Sequence, residues 1–300
     1  MSTIFRLSEN KHDRVLVATV HTNDFQFVEL QTNLLEKHLK FQYDFAVGFD
    51  SPEVEAYKLS AADTKSEIAQ FTKNRSLTFV EIPREAHHAR DKYFSNSDVS
   101  RKYSPLDPAI RCADSVQYML SVLPWQKYQA ILLIDADMFP IADITHVPVS
   151  FETPFYGIHQ KRSYKAQYIE YLWNGIFWIS GDAPFQHLIN FDLISKKKLR
   201  TDVGGQTHLW INRLEDLGRQ GKWMPHLASG TWTREDAEDL SLGEPLRSWL
   251  ESDYRNESGT RYFSELYDGK FLHYRAGSNW QRRDPSVDNE NRISLIRAIC

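Results

Sequence analysis

Cysteine is nearly missing from this chain of 300 residues, which has only Cys112 and Cys300. Two distant thiols cannot build a disulfide framework, and neither has a second cysteine at a metal-finger spacing. That usage fits a reducing compartment. No hydrophobic run approaches the length of a membrane span, and Met1 to Asn10 lacks the apolar core of a signal peptide. The expectation is a cytoplasmic protein with no transmembrane segment. Positive charge is not in excess either: 36 Lys and Arg face 40 Asp and Glu, for a net charge of −4. The general basic field that nucleic acid demands is lacking, so no nucleic-acid partner is expected. No internal repeat, low-complexity tract or linker interrupts the chain, and one domain is expected.

What is present is a core-forming share of 41% hydrophobic residues and 13% aromatics, including 8 Trp and 14 Tyr. Most of these rings serve a large core. Strand-like and helix-like stretches alternate in the first half. Arg14 to Val20, Tyr43 to Phe49 and Leu77 to Ile82 read as strands. Asp24 to Lys40, with Phe27, Leu30, Leu34 and Leu35 at helical spacing, and Ala61 to Lys73 read as helices. Such alternation predicts βαβ units and a mostly parallel sheet. Glu85 to Pro108 is polar and aperiodic and reads as a loop, in which His87 and His88 are expected to be solvated. Asp107-Pro108 then opens a helix. Later come an aromatic strand from Tyr168 to Ser180, helices over 183–193 and 207–217, an irregular stretch after Trp223, a short strand at Phe271 to Tyr274 and a closing helix over 293–299.

The most informative stretch is Ile131-Leu-Leu-Ile-Asp135-Ala136-Asp137-Met-Phe139. Its apolar run reads as a strand buried on both faces in the middle of a parallel sheet. It ends in two carboxylates one residue apart. Extended backbone would turn both to the same side. Two such acids repel each other and are costly to desolvate, and a divalent cation removes that cost. Oxygen ligands suit magnesium or manganese. Ligands of open α/β sheets bind beyond the carboxyl ends of strands. Asp-x-Asp is also a common tripeptide that can form a turn or a cap, so the rest of the pattern matters.

Three further features follow in order: Asn174-Gly175 inside the aromatic strand, Asp202 to Gln206, and Phe271-Leu-His273-Tyr-Arg275-Ala-Gly277-Ser-Asn-Trp280. In this order the chain resembles the GT-A nucleotide-sugar glycosyltransferases, most closely the glycogenin and lipopolysaccharide galactosyltransferase group. The resemblance implies a Rossmann-like, mostly parallel central sheet flanked by helices in a single domain. Its nucleotide-binding half would span about 1–140, and its acceptor and sugar half about 141–300. It implies Mn2+ or Mg2+ held by Asp135, Asp137 and His273. It implies a UDP-sugar as donor and a hydroxyl on a glycan or related molecule as acceptor, hence a hexosyl- or pentosyltransferase. Thr19, His21, Arg111, Ala136, Asn174, Gly175, Arg275, Gly277 and Trp280 would face the donor.

The chain departs from the group's His-x-x-Gly-x-x-Lys-Pro-Trp ending. Gly277 comes one residue later, Trp280 one earlier, and Lys-Pro is absent. A cation for the diphosphate then has to come from Arg275, Arg282 or Arg283. Arg111 lies farther upstream than the pattern expects, and Asp202 and Gln206 are loose stand-ins for its Asp-Gln pair. An inverting reaction needs a carboxylate base, for which Asp182 and Asp202 are the candidates; a retaining one does not. A nucleotidyltransferase is the alternative, but His21-Thr-Asn-Asp24 is not the Gly-rich basic turn such enzymes carry after the first strand. A catalytically silent nucleotide- or sugar-binding module would use the same residues.

Overall fold

The computed structural model describes residues 13–22, 25–51, 55–94, 107–164, 167–196, 199–256, 261–275 and 285–300. In chain order the elements are β1 (Val15–His21), α1 (Phe25–His38), β2 (Tyr43–Asp50), α2 (Glu55–Asn74), β3 (Thr78–Ile82), α3 (Arg84–His88), α4 (Pro108–Val122), β4 (Ala130–Ile134) and β5 (Met138–Pro140). Then come β6 (Phe155–Tyr164), β7 (Gln167–Ser180), β8 (Ser195–Lys196), β9 (Leu199–Arg200), α5 (Thr207–Asp216), β10 (Lys222–Trp223) and β11 (His226–Leu227). The chain finishes with α6 (Arg234–Asp239), α7 (Glu244–Ser252), β12 (Glu265–Tyr267), β13 (Phe271–His273) and α8 (Pro285–Ile299). No helix among the described residues is long and apolar enough to cross a membrane.

The chain divides into two compact units that interleave along the sequence. The first comprises the chain up to His21, Phe41–Asp135 and His146–Trp223. It holds a seven-stranded sheet in the order β10-β6-β7-β4-β1-β2-β3. Strands β4, β1, β2 and β3 run parallel, and β7 runs antiparallel to both β4 and β6. The expected mixed α/β class, with a mostly parallel central sheet flanked by helices, is therefore observed. β4 is buried along its whole length between β1 and β7, as its unbroken apolar run demands. Leu16, Leu133, Phe177 and Ile179 pack with Val116, Met119 and Leu120 of α4 in the core of this unit. The α4 N-terminus is as expected: the Asp107 side chain accepts from Ala109 N at 3.0 Å, and Pro108 fills the first turn.

The second unit comprises Thr22–Lys40, Ala136–Thr145 and Met224–Cys300. Its sheet runs β11-β12-β13-β5. Phe27, Leu30 and Leu34 of α1 pack here with Phe139, Trp232, Trp249 and Tyr274. The helix stripe read from the sequence is therefore a core face, while Asp24, its expected cap, lies outside the described residues.

Three stretches differ from expectation. The 85–108 segment, read as a loop, opens with α3 and a 3-10 turn at Arg90–Lys92. The helix expected over 183–193 is only a 3-10 turn at Gln186–Leu188, because Phe185 stands in a left-handed conformation (φ 55°) after Pro184. The irregular stretch after Trp223 contains α6 and α7. Their apolar faces are short, but a Thr233/Asp236 capping box starts α6 and a proline lies in the first turn of α7.

Candidate metal centre

Strand β4 ends at Ile134, and the two acids stand on the turn that follows it. They therefore converge through a turn and not through strand alternation. Asp135 N donates to Gly175 O at 2.7 Å, which fixes the first acid to β7. Ala136 fills the turn and is nearly buried. Asp137 O then accepts from Tyr274 N at 2.8 Å, and the chain continues directly into β5, which pairs with β13. That pairing sets His273 opposite Met138. The His273 Nε2 atom lies 3.2 Å from Asp137 Oδ1. One ligand atom each from Asp135, Asp137 and His273 lies within 4.8 Å of the other two. Residues 138 positions apart in sequence thus meet through a four-stranded sheet and a two-residue turn.

Electrostatics define the chemistry of this group. Asp137 and His273 are both buried. Burial alone would drive the imidazole down, but the Asp137 charge and hydrogen bond, followed by Glu265, push it up to about 10. Without a metal, His273 is a cation between carboxylates. A divalent cation bound by these atoms would take the place of that proton, as ligand imidazoles must be neutral. Two carboxylates with one imidazole form a mixed oxygen and nitrogen set. The donor set and its spacing therefore fit a divalent ion.

On the first unit, several expected residues collect at the same edge of the sheet as Asp135. The register pairs Ala18 of β1 with Leu133 of β4, so Thr19 and His21 lie at the carboxyl ends of the central strands. Both are fully buried, with Thr19 Oγ1 3.4 Å from His21 Nε2. Asn174 and Gly175 occupy an irregularity of β7, where the pairing with β6 jumps from Gly157/Phe177 to His159/Leu172. Such a bulge re-aims side chains beside a site. Asn174 Nδ2 donates to Cys112 Sγ at 3.0 Å. Burial, then the charges of Asp135 and Asp202, push the Cys112 thiol up; both acids thus act on one sulfur. Asp202 is exposed, and its Oδ1 accepts from Val203 N at 2.8 Å.

Some expectations are corrected. Asp182 is at the wrong edge. Because β7 is antiparallel to β4, Ser180 pairs with Ala130 and Gly181 N donates to Gln129 O at 2.9 Å. Asp182 therefore lies about a full strand of five residues, roughly 16 Å, from Asp135. Arg111 is engaged by Asp50 and by Ser51 O at 2.8 Å. Gly175 has a packing reason to be glycine, since a Cβ there would meet the Trp173 ring at 2.0 Å. Arg275 is exposed, donates to Ser229 Oγ at 3.0 Å and approaches Glu265 at 3.8 Å. Gly277, Trp280, Arg282 and Arg283 lie outside the described residues.

The chain matches no family profile, and no curated protein matches it in sequence. Solved structures do match. The apo bifunctional enzyme WbbM aligns at 10% identity with a TM-score of 0.35, over 60% of this chain and 33% of that one. The mannosyltransferase PcManGT from Pyrobaculum calidifontis, in complex with GDP-Man and Mn2+, aligns at 12% and 0.38, over 71% and 55%. A mutant β1,4-galactosyltransferase 7 from Drosophila, with manganese, UDP-Gal and xylobiose, aligns at 13% and 0.33, over 70% and 64%. All three are glycosyltransferases. This chain spans between a third and just under two thirds of their lengths, and their donors, acceptors and metals are properties of those proteins.

Sequence reasoning did not include Glu265, Tyr267 or Cys112 in the site. A signal for the first two was present. Asp268-Gly269 is a hairpin dipeptide, and both residues take positive φ here (52° and 62°). That turn sets Glu265 directly across from His273.

Proposed function

We propose that this chain is a metal-dependent glycosyltransferase that moves a sugar from a nucleoside-diphosphate sugar, a UDP-sugar, to an acceptor hydroxyl. The observation that carries the reading is the convergence of Asp135, Asp137 and His273 just beyond the carboxyl end of the central strand. A cation held by these three residues would supply Lewis-acid stabilisation for charge developing on the leaving diphosphate. Asp135 N donates to Gly175 O and Asp137 O accepts from Tyr274 N, so the backbone that carries the two carboxylates is anchored at both residues. Arg275, the described arginine two residues beyond His273, is the cation we assign to the phosphate oxygens. Asn174, held by Cys112, and Gln206, whose buried Nε2 has no hydrogen-bond partner among the described residues, are the amides we assign to the sugar. For an inverting reaction Asp202 is the base we assign, being exposed at the Asp135 edge; a retaining reaction needs none.

Thermal-shift titrations with UDP, CTP and GDP, each with and without Mn2+, test this reading. The expected result is a shift with UDP that requires Mn2+, followed by slow hydrolysis of one member of a UDP-sugar panel. A UDP shift of equal size after chelation contradicts the metal role, and a Mn2+-dependent shift with no turnover of any UDP-sugar contradicts the transferase.

A further inference from the structure

The metal reading above gives no part to Glu265, a half-buried acid that touches His273. Glu265 stands on β12 in register with His273 on β13. His273 Nδ1 donates to Glu265 Oε2 at 2.9 Å, while its Nε2 faces Asp137 at 3.2 Å. Glu265 is itself held on several sides. Tyr267 Oη donates to the same Oε2 at 2.6 Å, Ser229 N donates to Oε1 at 3.3 Å, and Arg275 Nε lies 3.8 Å from Oε1. Its side chain is 15% exposed. A hairpin needs none of this, because the register of β12 and β13 is already set by backbone pairs on both sides of the turn.

We propose that Glu265 is a positioning residue for the metal centre: by engaging Nδ1 it fixes the imidazole plane and leaves Nε2 aimed at Asp137 and the cation. The inference rests on His273 being a metal ligand. A carboxylate on the far nitrogen of a ligating histidine fixes its tautomer and orientation and raises its basicity. Tyr267 and Ser229 do for Glu265 what Glu265 does for His273, so the chain of support runs from the β11–β12 region to the metal ligand through three hydrogen bonds.

The test is a Mn2+ titration of the full-length chain, followed by the electron paramagnetic resonance signal of the free ion, with thermal midpoints recorded alongside. Parent, Glu265→Gln and Glu265→Ala are compared. Glu265→Gln keeps the size and one acceptor oxygen; Glu265→Ala removes the contact. The expected losses of Mn2+ affinity span about 10- to 100-fold, with Gln at the low end and Ala at the high end, and with midpoints close to the parent's. A role confined to the hairpin would move the midpoints and not the affinity. If the parent binds no Mn2+, the metal reading itself fails. If the parent binds and a folded Glu265→Gln and Glu265→Ala bind equally well, the metal reading stands and the positioning role is overturned.

Discussion

His87 is a buried cation, although the polar sequence around it suggests a solvated loop. Its Nε2 lies 3.0 Å from Asp50 and its Nδ1 3.1 Å from Asp114. Burial would lower this imidazole, but the hydrogen bonds it donates to Asp114 and Asp50 raise it to about 9. Burial also pushes the Asp114 carboxyl up, against His87 and Arg90. The proton stays on the imidazole, which faces two carboxylates. Arg90 continues the network to Asp192 at 2.6 Å. The folded value lies above the ordinary 6.5, so the stabilisation is complete below about pH 6.5 and disappears as pH rises through 9. His87→Gln should therefore cost about 2–3 kcal/mol at pH 6 and much less at pH 9.5. Urea unfolding of both proteins at the two pH values checks this, and a difference that does not change with pH contradicts the charge assignment. At the metal centre the corresponding prediction is that Asp137→Asn abolishes turnover and Mn2+ binding while leaving the thermal midpoint near the parent's. Transfer at the parental rate removes the acid pair from the mechanism.

Helix α5 is seated on β7 by backbone contacts that allow no side chain at Gly204. That residue has φ +96°, and a Cβ on it would lie 1.9 Å from Leu172 O. Leu172 N in turn donates to Thr207 Oγ1 at 2.9 Å. Gly218, at the other end of α5, has φ +69° but nothing within 4 Å. Gly204→Ala should thus destabilise by at least about 1–3 kcal/mol more than Gly218→Ala, since only the first adds a backbone collision to the strain. Chemical denaturation of the two variants measures this, and equal losses contradict the seating. Gly204 and Gly205 are both packed too closely for a side chain: a Cβ on Gly205 would lie 1.9 Å from Thr201 Oγ1. The parallel strands and the Asp107-Pro108 start of α4 were legible because period and cap agree there. Strand direction is not written in side-chain period, so Asp182 was read onto the site edge when antiparallel β7 carries it to the opposite one. His87 was misread because its partners come from β2 and α4, far away in sequence. Glu265 was missed because a three-residue strand has too little period to show which residue faces which.

Across the whole molecule the chain passes between the two units five times, at positions 21/22, 40/41, 135/136, 145/146 and 223/224. Residues 1–223 contain the entire seven-stranded sheet, yet they retain only α1 and β5 of the second unit. Without β13 and α6–α8, the buried faces of Phe27, Leu30, Leu34 and Phe139 lose their covering. We expect a 1–223 fragment to aggregate on size-exclusion chromatography; a monomeric, folded fragment would contradict the division of the cores. Asp135, Asp137 and His273 each offer a ligand atom, and these atoms all lie within 4.8 Å of one another. The most direct measurement is therefore anomalous scattering from a crystal soaked with Mn2+ and UDP. The account predicts a single manganese peak within bonding distance of Asp135, Asp137 and His273 Nε2, with diphosphate density against it. A UDP-bound crystal with no peak at these three side chains, or with manganese seated elsewhere, contradicts it.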